Sequence, residues 1–188
     1  NSGIVFTTYS AVFTFVAGDV DGGATTSSFV VGKYTGGAWS YPTVGTKTSL
    51  STQVTGVTAF SDYQIGEPNT TTLGNGTDPS NASLAPGGSA TMADAFTFVT
   101  NSDGESITAV SVALSTGSSG GLSLVEITDD AGSTVYGSTS NPGSDAPSIT
   151  LTTPIAATTS STQYKIRITP KSHANMPVPA GSTYSVTA

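Results

Sequence analysis

Short runs of apolar and β-branched residues, broken every few positions by Gly, Asn, Asp or Pro, make up almost the whole chain. That pattern predicts strands and tight turns, and no stretch carries the 3.6-residue apolar repeat of a helix. The first run, residues 4–17 (IVFTTYSAVFTFVA), reads as one long strand, or two with a kink near Ser10. Val5, Tyr9, Phe13 and Phe15 fall on one parity; Ile4, Phe6, Val12 and Val16 fall on the other. A strand apolar on both faces is either covered on both sides or covered by a neighbouring subunit. A turn over residues 18–23 ends it. The next expected strand is 28–34, and Thr35-Gly36-Gly37 predicts a hairpin turn into 38–41. Strands around Leu50, Val54 and Val57 follow, and residues 62–66 close the module.

Between residues 67 and 91 the pattern lapses into EPNTTTLGNGTDPSNASLAPGGSAT, in which Leu73 and Leu84 stand isolated. Such a segment buries too little surface to offset the entropy of ordering it, so a linker or long exposed loop is expected. It separates an N-terminal module, 1–66, from a C-terminal one, 92–188. In the second module strands are expected at 95–99, 107–114, 122–128, 134–136, 148–151, 163–169 and 183–187. Tyr164, Ile166 and Ile168 alternate with Lys165, Arg167 and Thr169, a half-buried strand with its basic residues toward water. The expected fold class is all-β: two immunoglobulin-like β-sandwich domains joined by a Pro/Gly/Asn/Thr-rich linker. The first module is short of the roughly 100 residues and about seven strands of such a sandwich, so a missing strand is expected.

Composition adds a compartment. Charged residues are 9% of the chain, against about 25% in an average soluble protein, so hydroxyls and amides must wet the surface. Lys and Arg total 5 and Asp and Glu total 12, a net charge of −7. That field repels phosphate backbones and makes nucleic acid a poor partner. The absence of Cys excludes a disulfide framework and thiolate metal sites. No apolar run approaches the ~20 residues of a membrane-spanning helix. The chain starts at Asn1 with neither Met nor a charged, apolar leader, as a processed or excerpted mature chain would.

The hairpin KYTGGAW and the stretch TGVTAFSDYQIGEP carry a resemblance. Lys33, Tyr34, Trp39, Phe60, Ser61, Asp62, Ile65 and Gly66 match the ending of small β-sandwich modules in secreted and cell-surface bacterial proteins. LSLVEITDDAGSTVYG, in the second module, resembles the strand-turn-strand core of surface-layer and adhesin repeats. The resemblance covers about a third of the chain and implies a fold family of bacterial or archaeal surface, adhesin or filament proteins, not an activity.

Candidate chemistry is sparse. Gly117-Ser118-Ser119-Gly120-Gly121 has the letters of a nucleophile elbow, but a strand follows where a helix is required. The sole His, His173, lies in a Pro-rich loop, so a hydrolase triad is set aside in favour of a hairpin loop. Asp19 with Asp21, Asp129 with Asp130, and best of all Asn101, Asp103 and Glu105 offer oxygens to Ca²⁺. The same residue types are preferred in turns for their own sake. Asn69, Asn75 and Asn81 each begin an N-x-S/T glycosylation sequon in the expected linker. Trp39, Tyr34 and Tyr41 are positioned to stack on sugar rings, although capping the sandwich core is the favoured role for them. No catalytic residue and no cofactor other than calcium is expected.

These readings point to a non-enzymatic structural subunit of an extracellular polymer, assembled with copies of itself by strand exchange. The donated strand would be residues 1–17 or 183–188. The alternative is a monomeric adhesion or carbohydrate-binding module of a larger secreted protein.

Overall fold

The computed structural model describes residues 3–102, 104–176 and 186. The chain is all-β, with only short 3-10 turns between strands among the described residues. It divides into two compact units, Asn1–Pro68 and Asn69–Ala188.

The N-terminal unit holds β1 (Tyr9–Thr14), β2 (Val30–Thr35), β3 (Ala38–Ser40), β4 (Val44–Thr48), β5 (Ser51–Val57) and β6 (Asp62–Gly66). They form two three-stranded antiparallel sheets, ordered β1-β5-β4 and β3-β2-β6. The β2–β3 hairpin turns on Gly36 (φ 62°) and Gly37 (φ 86°). Positive φ at both central positions is the type I′ geometry that matches strand twist, and it sets the register Thr35↔Ala38 and Tyr34↔Trp39. Leu50, expected within a strand, instead sits in the β4–β5 turn and is exposed. The turn hydroxyls explain this, because Thr48 Oγ1 bonds the Ser51 hydroxyl and accepts the Leu50 N–H.

The core of this unit is small. Val31, Val54 and Val57 are its buried cluster, with Tyr9, Ala11, Phe13, Tyr63 and Ile65 partly buried against it. Phe29 is also buried.

The C-terminal unit is a seven-stranded ladder. Its strands are β7 (Thr71–Asn75), β8 (Thr91–Thr100), β9 (Ser106–Ser111), β10 (Leu122–Asp129), β11 (Val135–Ser140), β12 (Ser148–Ala156) and β13 (Thr162–Pro170). Their order is β7-β8-β13-β10-β11-β12-β9. Side chains from both ends of that ladder, including Phe96, Ile127, Ile166, Ile149 and Ile155, share one buried cluster. The ladder therefore rolls around a single core, and β11 meets β12 at one residue pair, Gly137↔Leu151. Gly137 is required there: a Cβ would lie 2.7 Å from the Thr150 carbonyl oxygen. Aromatic rings line one side of the core, with Phe96, Phe98 and Tyr136 all within 6 Å, centroid to centroid, of Tyr164.

Two expectations are corrected here. The stretch 67–91 is not a free linker, because β7 pairs with β8 over Thr71↔Thr100 to Asn75↔Phe96. Beyond β7 the backbone stays tied to the same unit: Gly76 N–H bonds the Ala95 carbonyl, and Gly87 N–H bonds that of Lys171. Thr77 N–H bonds Gln163 Oε1 at 2.6 Å, and Leu84 packs against the core. Backbone pairing and β-branched Thr suffice for an edge strand that needs only one covered face.

The second correction concerns β13. Tyr164, Ile166 and Ile168 are buried as expected, but Lys165 and Arg167 do not face open water. Lys165 Nζ lies 3.3 Å from Asp130. Arg167 Nε donates to Glu126 Oε2 at 2.8 Å, the two side chains being 22% and 11% exposed. Its Nη1 reaches the Gly132 carbonyl at 3.0 Å.

Candidate functional site

Two surfaces of the N-terminal unit stand out, and strand parity builds both. In β1, Tyr9, Ala11 and Phe13 point at the small core while Ser10, Val12 and Thr14 point away. The outward apolar set is bare: Ile4 is 61%, Val12 58% and Val16 64% exposed. Val5, just ahead of the strand, is 96% exposed. Phe6 is anchored, its ring 5.2 Å from Tyr9 and 5.0 Å from Phe60. The reading that residues 4–17 are covered on both sides within the chain is thereby excluded. β1 also ends its sheet, pairing only with β5 among the described strands. Behind it, Tyr9 and Tyr63 share a 2.6 Å hydroxyl contact. Burial and that contact push the Tyr63 phenol up to about 12.

The second surface is the outward side of the β3-β2-β6 sheet. Val31 and Lys33 of β2 pair with Ile65 and Tyr63 of β6, and this parity faces the core. The other parity carries Gly32 and Tyr34, with Trp39 across from Tyr34 on β3 and Gln64 and Asp62 across from Gly32 and Tyr34 on β6. Tyr34 is 40%, Trp39 45% and Tyr41 70% exposed. These aromatics do not cap the core, which corrects the favoured role, because hairpin register sets them on the opposite face. The Trp39 ring packs against Gly32, where a Cβ would come within 3.1 Å of it. Its centroid is 5.1 Å from that of Tyr34.

No family model matches the chain, and neither a curated protein nor a solved structure is similar to it.

The other sequence candidates are engaged in local structure. Ser118–Gly121 is a 3-10 turn that leads into β10, not a helix. Asp145 fills the loop, accepting the N–H groups of Gly117 at 2.7 Å and Ser119 at 3.0 Å. Those donors hold its carboxyl below the usual range. A loop whose amides are already capped by a carboxylate offers no oxyanion site.

Of the calcium candidates, Asp103 lies outside the described residues. Asn101 Oδ1 accepts the Thr70 N–H at 2.8 Å, clamping the β8 end to the entry of β7. The Glu105 carbonyl accepts the Ala157 N–H. Asp19 Oδ2 accepts the Val16 N–H, and Asp130 bonds Gln163 Nε2 at 2.6 Å. Among the described residues no three His, Cys, Asp or Glu side chains converge as a metal cluster.

Asp129 is closely held. It accepts the Ser133 hydroxyl at 2.6 Å, the Ser133 N–H at 2.7 Å and the Thr134 N–H at 3.2 Å. Those bonds lower its pKa to about 2, against an ordinary 3.8. A depressed carboxyl stabilises the folded state above the unfolded value and loses that contribution as the pH falls through the folded one. The β10–β11 turn is therefore expected to hold its geometry down to pH 3 and loosen toward pH 2, read from the Asp129 side-chain carbon in an NMR titration. A midpoint near 3.8 would remove the clamp.

The three sequons differ. Asn69, Asn75 and Asn81 are all exposed, but Asn75 belongs to β7 and pairs with Phe96. Thr71, which completes the first sequon, has a buried hydroxyl. Asn81 sits outside any strand.

Sequence reasoning missed a buried acid in the C-terminal unit. Asp94 of β8 is 6% exposed and lines an apolar cleft of about 210 Å³ with Leu73, Phe96, Val112 and Ile166. Burial pushes its carboxyl up; the Ala95 N–H opposes the shift and the Asp78 carboxyl reinforces it. Its sequence signal was the short polar break in MADAFTFV.

Proposed function

We propose that the chain is a structural module of an extracellular polymer, its N-terminal unit completed by another copy that adds along β1. The single observation carrying this reading is the imbalance in that unit. Its buried cluster is three valines, while Val12 of the edge strand β1 and Ile4, Val5 and Val16 in the segments flanking it stand in solvent. An unpaired strand edge with an apolar outer face is a template for intermolecular pairing, and contiguous exposed apolar surface marks an interaction site. On this reading each unit is an immunoglobulin-like sandwich, the first one strand short, secreted or held at the cell surface and without catalytic function.

The N-terminal run, expected as the donated segment, pairs instead with β5 of its own sheet, so on this reading β1 takes part as the edge to which the second copy adds. The C-terminal alternative, 183–188, falls mostly outside the described residues, but Val186 bridges Leu114 of its own unit and packs on its own core. Sugars on Asn69 or Asn81 would decorate such a polymer, and calcium would be dispensable to it.

The test is the double variant Val5→Asp/Val12→Lys, which touches only exposed side chains and so preserves the fold. Wild-type material is expected to sediment as oligomers or filaments visible in negative stain, and the variant as monomers with an unchanged far-UV spectrum. Monomeric wild-type protein at high concentration, or a variant that still assembles, would refute the proposal.

A further inference from the structure

The outward face of the β3-β2-β6 sheet plays no part in the β1 edge, and its chemistry differs. It is aromatic and amide-bearing where the β1 face is aliphatic. Tyr41, Trp39 and Tyr34 form a stripe along it. A groove of about 260 Å³ opens at the stripe, lined by Trp39, Tyr41, Gly32, Gly66, Gln64 and Glu67. Glu67 Oε2 accepts the Thr25 N–H at 2.9 Å, which fixes that carboxylate in place.

We propose that this face binds an uncharged, pyranose-based polysaccharide, with sugar rings stacked on Trp39 and Tyr41 and hydroxyls bonded to Gln64 and Glu67. A pyranose ring presents a face of C–H groups and a rim of hydroxyls. It needs flat aromatic surface beneath and donors and acceptors at the side. Exposed Trp and Tyr supply rigid contact area at low entropic cost. The Gln64 amide both donates and accepts, and a carboxylate accepts from hydroxyls.

Glycine makes the geometry possible. A side chain at Gly32 would lift the Trp39 ring from its bed and change the aromatic surface offered to a sugar ring. Charge selects within the class. Asp62 and Glu67 border the face, Lys33 points to the opposite parity, and the whole chain carries −7. Uronates and sulfated or phosphorylated glycans are repelled by that field.

Trp39 is the single tryptophan of the chain, so tryptophan emission reads this face alone. The full chain is titrated with cellohexaose, xylohexaose, mannohexaose and chitohexaose, with oligogalacturonate as the acidic probe. A saturable emission change is expected with at least one neutral oligomer and none with the acid. Affinity electrophoresis through gels holding the matching soluble polysaccharide then tests the residues. Trp39→Ala should abolish retardation, and Tyr41→Ala should weaken it about tenfold, the loss typical of a buried aromatic anchor. Gly32→Val should weaken it while leaving the far-UV spectrum unchanged. Trp39→Phe, which keeps a ring, should retain part of the binding and guards against a simple folding defect.

Silence with every neutral probe, equal response to oligogalacturonate, or full retardation of Trp39→Ala would each overturn the proposal. An emission change driven by protein concentration alone, without sugar, would make the face a contact between copies and overturn it too. Because Val12 lies in the other sheet and Val5 in the segment leading into it, the Val5→Asp/Val12→Lys variant should bind sugar normally, so the two proposals fail separately.

Discussion

Replacing Ile127 by alanine is expected to destabilise the C-terminal unit by about 2–5 kcal/mol. Ile127 is fully buried in β10, between β13 and β11 in the ladder. It pairs with Ile166 on one side and Gly137 on the other. Gly137 has no side chain to shift into the space, so the cavity cannot collapse from that strand. The loss should therefore fall in the upper half of the range, because cost rises with residual cavity volume. For a unit of this size a drop of about 4 kcal/mol lowers the melting midpoint by roughly 15 °C. The ring cluster around Tyr164 gives a near-UV signal that follows this unit, and Ile127→Val should lower the same midpoint by a third as much or less. A midpoint for Ile127→Ala within a degree or two of wild type would mean that the ladder does not enclose the core described here.

Arg167→Met is expected to cost nearly as much, for a different reason. The substitution keeps most of the side-chain volume and removes the partner of Glu126, which is only 9% exposed. A carboxylate left alone in such a site retains its desolvation cost without the compensating bond. Breaking a fully buried pair costs about 3–5 kcal/mol. The 22% exposure of the Arg167 side chain lets water soften the effect, so about 2–3 kcal/mol is the expected loss. The Gly132 carbonyl would lose its donor as well. The double variant Glu126→Leu/Arg167→Met removes the stranded charge and should recover most of the stability. Chemical denaturation of the four proteins closes the cycle. A double variant no more stable than Arg167→Met would show that packing of the arginine stem, not the ion pair, holds this face.

The strands were legible wherever side chains alternate. The β13 segment, with Tyr164, Ile166 and Ile168 inward, could be placed from sequence because one buried face imposes a period of two. The Gly36-Gly37 turn was equally plain, since two successive positive φ values call for glycine. The strand β7 was hidden for a physical reason. TTLGN draws its order from backbone pairing to β8, not from its own apolar content, and composition does not register bonds made by a distant strand. The aromatic face was misjudged in a related way. Tyr34, Trp39 and Tyr41 were visible as a cluster, but which side of the sheet they occupy depends on the pairing of Lys33 with Tyr63 and of Val31 with Ile65. A shift of one residue would have reversed it. The turn carboxylate Asp129 shows the opposite case: its residue type suggested a calcium ligand, and the backbone N–H groups within reach claimed it.

The position of β13 in the ladder has a consequence for how the chain acquires its shape. This strand fills the gap between β8 and β10, yet it is the last of the seven to leave the ribosome or a secretion channel. Until residue 170 has emerged, β8 and β10 each wait with an unsatisfied border. Such long-range closure is slow and leaves nascent material open to wrong pairings. A chaperone, or transit faster than collapse, would spare it that hazard. Chains truncated before Thr162 should accumulate as aggregates, not as partly folded monomers.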